Sequence, residues 1–331
     1  MGKRTRRLLL ILTVMVFVLA GCKKEVGSPQ DNAIVPEKSE EEERPEYKFG
    51  FTCITMENPY FIALEAAVRG EVEAAGSTMI VMDPELDSDT QKEQIQEMIE
   101  QGIDAIFLSP VDWETITPVL HMLKEADVKI INIDTQVKEF DLVDAYVGSD
   151  NKNAGYICGE KMITDFPQGG KIAILECPTQ NSINDRITGF EESIAKAANG
   201  FEVVAREDAK GDLTLAKEAF EKIIKDNPEL TAVMCGNDPT ALGALVAAKA
   251  ANRGDIKIYS VDGSPDLKKE LEKADSQIAG MAAQSPINIG KTAVGVAMDM
   301  LNGETYIRET YESVFLISKE NLELYGIDGW Q

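Results

Sequence analysis

From Lys48 onward, short apolar runs alternate with longer amphipathic stretches in a steady order. KFGFTCI (48–54) predicts a strand and TMENP (55–59) a turn; residues 60–76 then carry a helical pattern that stops at Gly76. Further strands are predicted over 77–83, 104–110, 128–135 and 144–150. Helices over 89–101 and 113–126 separate them, the first with Ile95, Met98 and Ile99 on one stripe. The alternation starts afresh near Asn151. Helices are predicted over 151–166, 184–198, 213–226, 240–252, 265–274 and 287–302, and strands over 170–177, 201–208, 230–238, 256–264 and 276–284. YESVFLISK (311–319) reads as a closing strand-like segment. Strands that are apolar almost without interruption are buried on both faces, which is the mark of parallel sheets covered by helices. About ten strands are many for one open sheet, so the pattern predicts an α/β chain with two similar sheets. Open parallel sheets bind ligands beyond the carboxyl ends of their strands. The polar residues expected there are Asn58 and Asp134 in one half, and Asn237, Asp238 and Asp262 in the other. If the two halves face each other, these residues share one cleft.

The first 46 residues follow a different pattern. Lys3, Arg4, Arg6 and Arg7 precede an apolar run from Leu8 to Ala20, and Leu19-Ala20-Gly21-Cys22 closes it. The run is near the length of a signal-peptide core and short of the roughly 20 residues a membrane-spanning helix needs. The closing tetrapeptide resembles the bacterial lipoprotein box, which implies removal of residues 1–21 and lipidation of Cys22 as an anchor on the outer face of the cytoplasmic membrane. An ordinary transmembrane anchor is the other reading; either one places the remainder outside the cytoplasm. Residues 22–46 are polar, hold a Glu40–Glu43 run and lack aromatics, the composition of a disordered acidic tether.

Charge and cysteine content narrow the function. The formal net charge is -24, and -28 for a chain beginning at Cys22, with no basic patch for nucleic acid. Besides Cys22 there are Cys53, Cys158, Cys177 and Cys235, widely spaced and without zinc-site spacing. Buried free thiols are expected, with one disulfide left open by the oxidising compartment. The lone histidine, His121, lies in a helical pattern, so no metal site is expected. No GxGxxG after the first strand, no P-loop and no GxSxG is present, so neither a cofactor nor enzymatic activity is expected.

The candidate chemistry is neutral and polar, with two acids and one arginine. Asn58-Pro59 is a good helix start, which by itself accounts for both residues. The adjacent Tyr60 and Phe61 cannot both face a core from one helix, so one is free to stack on a ligand. Asp134 and Asp262 end apolar strands; each carboxylate can grip several hydroxyls, although Asp262-Gly263-Ser264-Pro265 also reads as a plain turn. Arg186 offers either a surface ion pair or a five-donor fork over the cleft. Asn237 and Gln284 donate and accept at once, as hydroxyls do.

With MENPYF, NIDTQ, YVGSDN, NDRITGFEE, CGNDPTALGAL, YSVDGSPD and AAQSPINIG in place, the chain from about Lys48 to about Lys319 resembles the periplasmic sugar-binding family, in its ribose-binding branch. The resemblance implies two Rossmann-like lobes joined by a hinge. A monosaccharide or similar polyol is captured between them and delivered to a membrane ABC permease, and the protein is a monomer. A sensor that presents the sugar-bound form to a membrane receptor is the alternative. It also implies that Asn58, Tyr60, Phe61, Asp134, Arg186, Asn237, Asp262 and Gln284 hold the sugar. Lobe boundaries by resemblance are 47–151 plus 284–314 and 152–283 plus 315–331. Three departures argue against an unaltered ribose site: Thr135 replaces an arginine, Ser109 an asparagine, and no aromatic stands near Gly211. Asp112 and Trp113 are unusual and are expected to reach the pocket, with Asn184 and its neighbours Asn181 and Asp185 compensating.

Overall fold

The computed structural model describes residues 46–331; the expected signal peptide, Cys22 and nearly all of the expected tether lie outside the described residues. Two six-stranded sheets organise the rest. In chain order the first half runs β1 (Lys48–Thr52), α1 (Pro59–Ala74), β2 (Thr78–Met82), α2 (Ser88–Glu100), β3 (Ala105–Leu108), α3 (Thr117–Glu125), β4 (Lys129–Ile133) and β5 (Ala145–Ser149). The second half runs α4 (Asn151–Asp165), β6 (Gly170–Glu176), α5 (Asn181–Ile194), β7 (Phe201–Asp208), α6 (Leu213–Asp226), β8 (Leu230–Cys235), α7 (Asp238–Ala250), β9 (Lys257–Asp262), α8 (Pro265–Glu272) and β10 (Ile278–Ala283). The chain then returns through α9 (Pro286–Leu301), β11 (Glu309–Glu312), β12 (Phe315–Ile317) and α10 (Leu322–Tyr325).

The first sheet has the order β11-β5-β4-β3-β1-β2 and the second β12-β10-β9-β8-β6-β7. All pairings are parallel except that of β12 with β10. The order repeats position for position, so β4 in one sheet answers to β9 in the other. The expected closing strand is in fact two. YESVFLISK breaks at Ser313-Val314, and its halves join different sheets, which raises the strand count to twelve among the described residues.

Each sheet is apolar on both faces, and this is why the strands read as continuous apolar runs. In β3, Ala105 and Phe107 enter the cluster under α1 and α9, while Ile106 and Leu108 enter the one under α2 and α3. In β8, Val233 and Cys235 face one way, and Ala232 and Met234 the other. Cys53, Cys158, Cys177 and Cys235 are all buried and free, so the disulfide left open by the sequence is not formed among them. Burial pushes their thiols up, Cys177 to about 11 and Cys158 to about 12, which keeps them protonated and inert.

Candidate functional site

The carboxyl ends of the two sheets face each other, and the backbone at each end is shaped to deliver a carboxylate. Asp134 follows β4 at φ +58°, and Asp262 closes β9 at φ +142°. Both depart from strand geometry at equivalent places in the two sheets. The Asp262 conformation is rarely populated and persists only where neighbours over-determine it. Those neighbours are the main-chain N–H of Asp238 (3.1 Å), Gln284 Nε2 (2.8 Å) and Arg186 Nη1 (3.4 Å), all donating to its carboxylate.

Around these acids lies a small, tightly closed cavity lined by Asn58, Tyr60, Phe61, Asp134, Gln180, Ser182, Arg186, Asn237, Asp262 and Gln284. Eight of the expected site residues therefore meet in one place. Arg186 is 3% exposed, so it is the buried fork and not a surface ion pair. Its Nε donates to Asn151 Oδ1 (2.8 Å) and its Nη1 to the Gly236 carbonyl (2.8 Å). Asn58 caps α1, its Oδ1 accepting from Tyr60 N (3.0 Å), and it also borders the cavity. Asn237 caps α7 through Thr240 N (3.0 Å) and donates from Nδ2 to Gly211 O (3.0 Å).

Two buried polar atoms in the cavity wall, Tyr60 OH and Gln284 Oε1, have no hydrogen-bond partner among the described residues. Unpaired buried groups cost roughly 1–3 kcal/mol each, so such atoms point to a ligand that completes them. The acids carry the same message. Burial pushes the Asp134 carboxyl above the ordinary carboxylate range, while the Arg186 charge and the hydroxyls of Thr135, Tyr60 and Ser109 pull it back, the Tyr60 hydroxyl without meeting full hydrogen-bond geometry. Burial likewise raises Asp262, against Arg186 and with the nearby Asp238 carboxyl adding to the rise. Asp238 is itself raised by burial and held by Ser260 Oγ (2.7 Å) and Ser264 N (2.7 Å).

Five expected residues do not line this cavity. Ser109 lies behind Asp134, its Oγ 3.5 Å from the carboxylate. Thr135 donates to Asp134 (3.0 Å) and meets Ser182 Oγ of the other lobe at 2.8 Å, so it sits on the seam. Asp112 is taken up by a turn, accepting from the main-chain N–H of Glu114 (2.9 Å) and Thr115 (3.1 Å). That turn delays α3 to Thr117 and swings Trp113 across the seam. There its main-chain N–H donates to Thr179 O (3.1 Å) and its indole to Pro178 O (3.2 Å). Asn184 donates to Pro178 O (2.9 Å) within its own lobe.

Gln180 and Ser182 were missed because α5 begins at Asn181, three residues before its expected start. Gln180 stands at the N-cap without a side-chain capping bond, so its amide is free for the cavity. Gln91 was missed as well. Its buried amide donates to Thr52, Cys53 and Ser109 and accepts from Val111 N (2.9 Å), tying the ends of β1 and β3 together below the site. A glutamine inside an amphipathic helix gives no signal of such a role.

A ribose import binding protein of Bacillus subtilis (strain 168) is 29% identical over 295 residues, 89% of this chain and 92% of that protein. A D-allose-binding periplasmic protein of Escherichia coli (strain K12) is 27% identical over 74% of this chain and 81% of its own. In structure, an ABC transporter solute-binding protein from Mycobacterium smegmatis with bound glycerol superposes with a TM-score of 0.80 at 27% identity. It covers 85% of this chain and 96% of its own. The periplasmic binding protein domain matches residues 49–305, and with two repeated sheets closing on a polar cavity the chain belongs to that family of solute binders, which carry their ligands without transforming them.

Proposed function

We propose that this protein captures a monosaccharide or similar polyol, not necessarily ribose, between its lobes outside the cytoplasm and hands it to an ABC importer. The observation that carries the reading is the cavity itself: paired acids, one buried guanidinium, amides from both lobes, and two unpartnered polar atoms beside the Tyr60 and Phe61 rings. Groups that donate and accept in equal measure match hydroxyls, and aromatic faces match the apolar face of a sugar ring. In this reading Asn58, Tyr60, Phe61, Asp134, Arg186, Asn237, Asp262 and Gln284 contact the ligand, joined by Gln180 and Ser182. The lobes comprise 47–151 plus 284–314 and 152–283 plus 315–331. A ligand touching both favours the closed state. Lipidation of Cys22 tethers a monomer to the outer face of the membrane, and Cys22→Ser should release the protein into the medium.

A thermal-shift screen of pentoses, hexoses, polyols, a nucleoside and an amino acid, on protein unfolded and refolded to strip carried ligand, tests the reading. At a hundredfold excess over Kd, one ligand adds about 2.7 kcal/mol, a shift of several degrees. Both tryptophans sit where lobes meet: Trp113 on Pro178 and Thr179, and Trp330, beyond α10, edge-on to Tyr60 at 5.9 Å. Intrinsic fluorescence should therefore respond to the same ligand. A shift from the amino acid or nucleoside alone, with none from any sugar or polyol, would sink the sugar reading.

A further inference from the structure

The ligand cavity is the smaller of two adjoining spaces between the lobes. Beside it lies a much larger groove, and Asn58 borders both. The groove's walls come from both lobes: Pro59 and Leu86 on one side, Leu213, Pro239 and Leu242 on the other. Its polar lining includes the carboxylates of Glu57, Asp212 and Asp266, and no lysine, arginine or histidine lines it.

The partition between the two spaces is thin at Gly211. This residue lines the groove at φ +70°, and a Cβ placed on it would come within 3.0 Å of Asn237 Nδ2 and 3.2 Å of Gln180 Nε2. Both amides line the inner cavity. Any side chain at 211 would therefore thicken the wall at this point; glycine leaves main chain and two amide groups between cavity and groove. Leu213, two residues on, lies at the groove and is 39% exposed.

Resting on the sugar-binding reading, we infer that the ligand is extended: a glycoside whose sugar occupies the inner cavity and whose neutral substituent leaves past Asn58 and Gly211 into the groove. Apolar walls suit an aglycone or the apolar face of a second sugar unit. The Glu57 and Asp212 carboxylates, in no ion pair among the described residues, disfavour a phosphate or carboxylate on that substituent; the third, Asp266, meets only the exposed Lys269 at 3.9 Å. Because the walls belong to both lobes, a substituent there also contributes to closure.

The test is titration calorimetry of free sugars against their methyl glycosides, phenyl glycosides and disaccharides in both anomers. The expected result is at least a tenfold lower Kd for one extended form than for its free sugar. A preference for phenyl glycosides identifies an aglycone, and one for disaccharides a second sugar. Leu213→Trp, at a half-exposed position, should fill the groove and remove the gain while leaving the free-sugar Kd within about twofold; Leu242→Trp serves as the second probe from the same wall. Equal or tighter binding of the free sugar, or a Leu213→Trp effect shared equally by both ligands, overturns the inference and leaves the monosaccharide reading standing. Failure of every sugar and glycoside alike removes both.

Discussion

Asp134 and Asp262 occupy equivalent positions in the two sheets, yet their surroundings differ in kind. Asp262 is gripped by Arg186, Gln284 and the Asp238 main chain, with a second buried carboxyl, Asp238, beside it. Asp134 has only hydroxyl donors, Thr135 at 3.0 Å and Ser109 at 3.5 Å, and looks toward the unpaired Tyr60 hydroxyl's side of the cavity. Around Asp262 the charged network is thus already tied together. The first lobe presents aromatic faces and a carboxylate with capacity to spare. Under the proposed function, carboxylates at two equivalent positions divide into a fixed wall and a receiving group.

Breaking the fixed wall should have the largest effect. Arg186→Ala leaves Asp262 and its neighbour without their counter-charge, and removing one partner of a buried pair costs roughly 3–5 kcal/mol. Urea unfolding should show that loss, whereas an Arg186→Ala protein as stable as the parent would mean the network contributes nothing to the fold. On the receiving side, Asp134→Asn should spare stability, since asparagine tolerates φ +58°. It should weaken the screened ligand by about 1.5–3 kcal/mol, the worth of hydrogen bonds to a charged group. Calorimetry on this variant separates the two roles: unchanged affinity with lost stability would reverse the comparison.

Proton linkage sharpens the contrast further. Asp262 and Asp238 are raised by burial, whereas unfolded carboxyls ionise near 4. Across that window the native state holds more protons. Their contribution to stability is therefore fully present below about pH 4 and declines as pH rises through the folded values. Surface carboxylates such as Asp255, held low by Arg253, act oppositely and only at lower pH. Denaturant midpoints of ligand-free protein should fall from pH 5 to 8, and Asp262→Asn should flatten the slope; a slope that survives this change would place the linkage elsewhere. The smallest effect is expected from Tyr60→Phe. Deleting an unpartnered buried hydroxyl should leave the free protein unchanged or slightly more stable, yet weaken ligand by about 1 kcal/mol. Loss of stability without loss of affinity would show the hydroxyl to be paired within the protein.

Much of this was written along the chain. Strand-end acids, the Asn58-Pro59 helix start and apolar strands mark α/β lobes and locate one polar cluster, because period and end position are local properties. Four of the misplacements share one cause. Trp113 and Asp112 were placed by a helix that begins later, and Gln180 and Ser182 by one that begins earlier. A shift of three or four residues at a helix start turns a different face to the cavity.

The sequence by itself determined which residue types stand at the sheet ends, and so the chemistry a ligand meets. Only the tertiary structure decided which of them face inward. Whether a side chain lines a cavity, caps a helix or bridges a seam depends on backbone angles and on partners distant in the chain, as Trp113 bonded to Pro178 and Arg186 bonded to Asn151 and Asp262 show. Those contacts exist only once both sheets have formed and met.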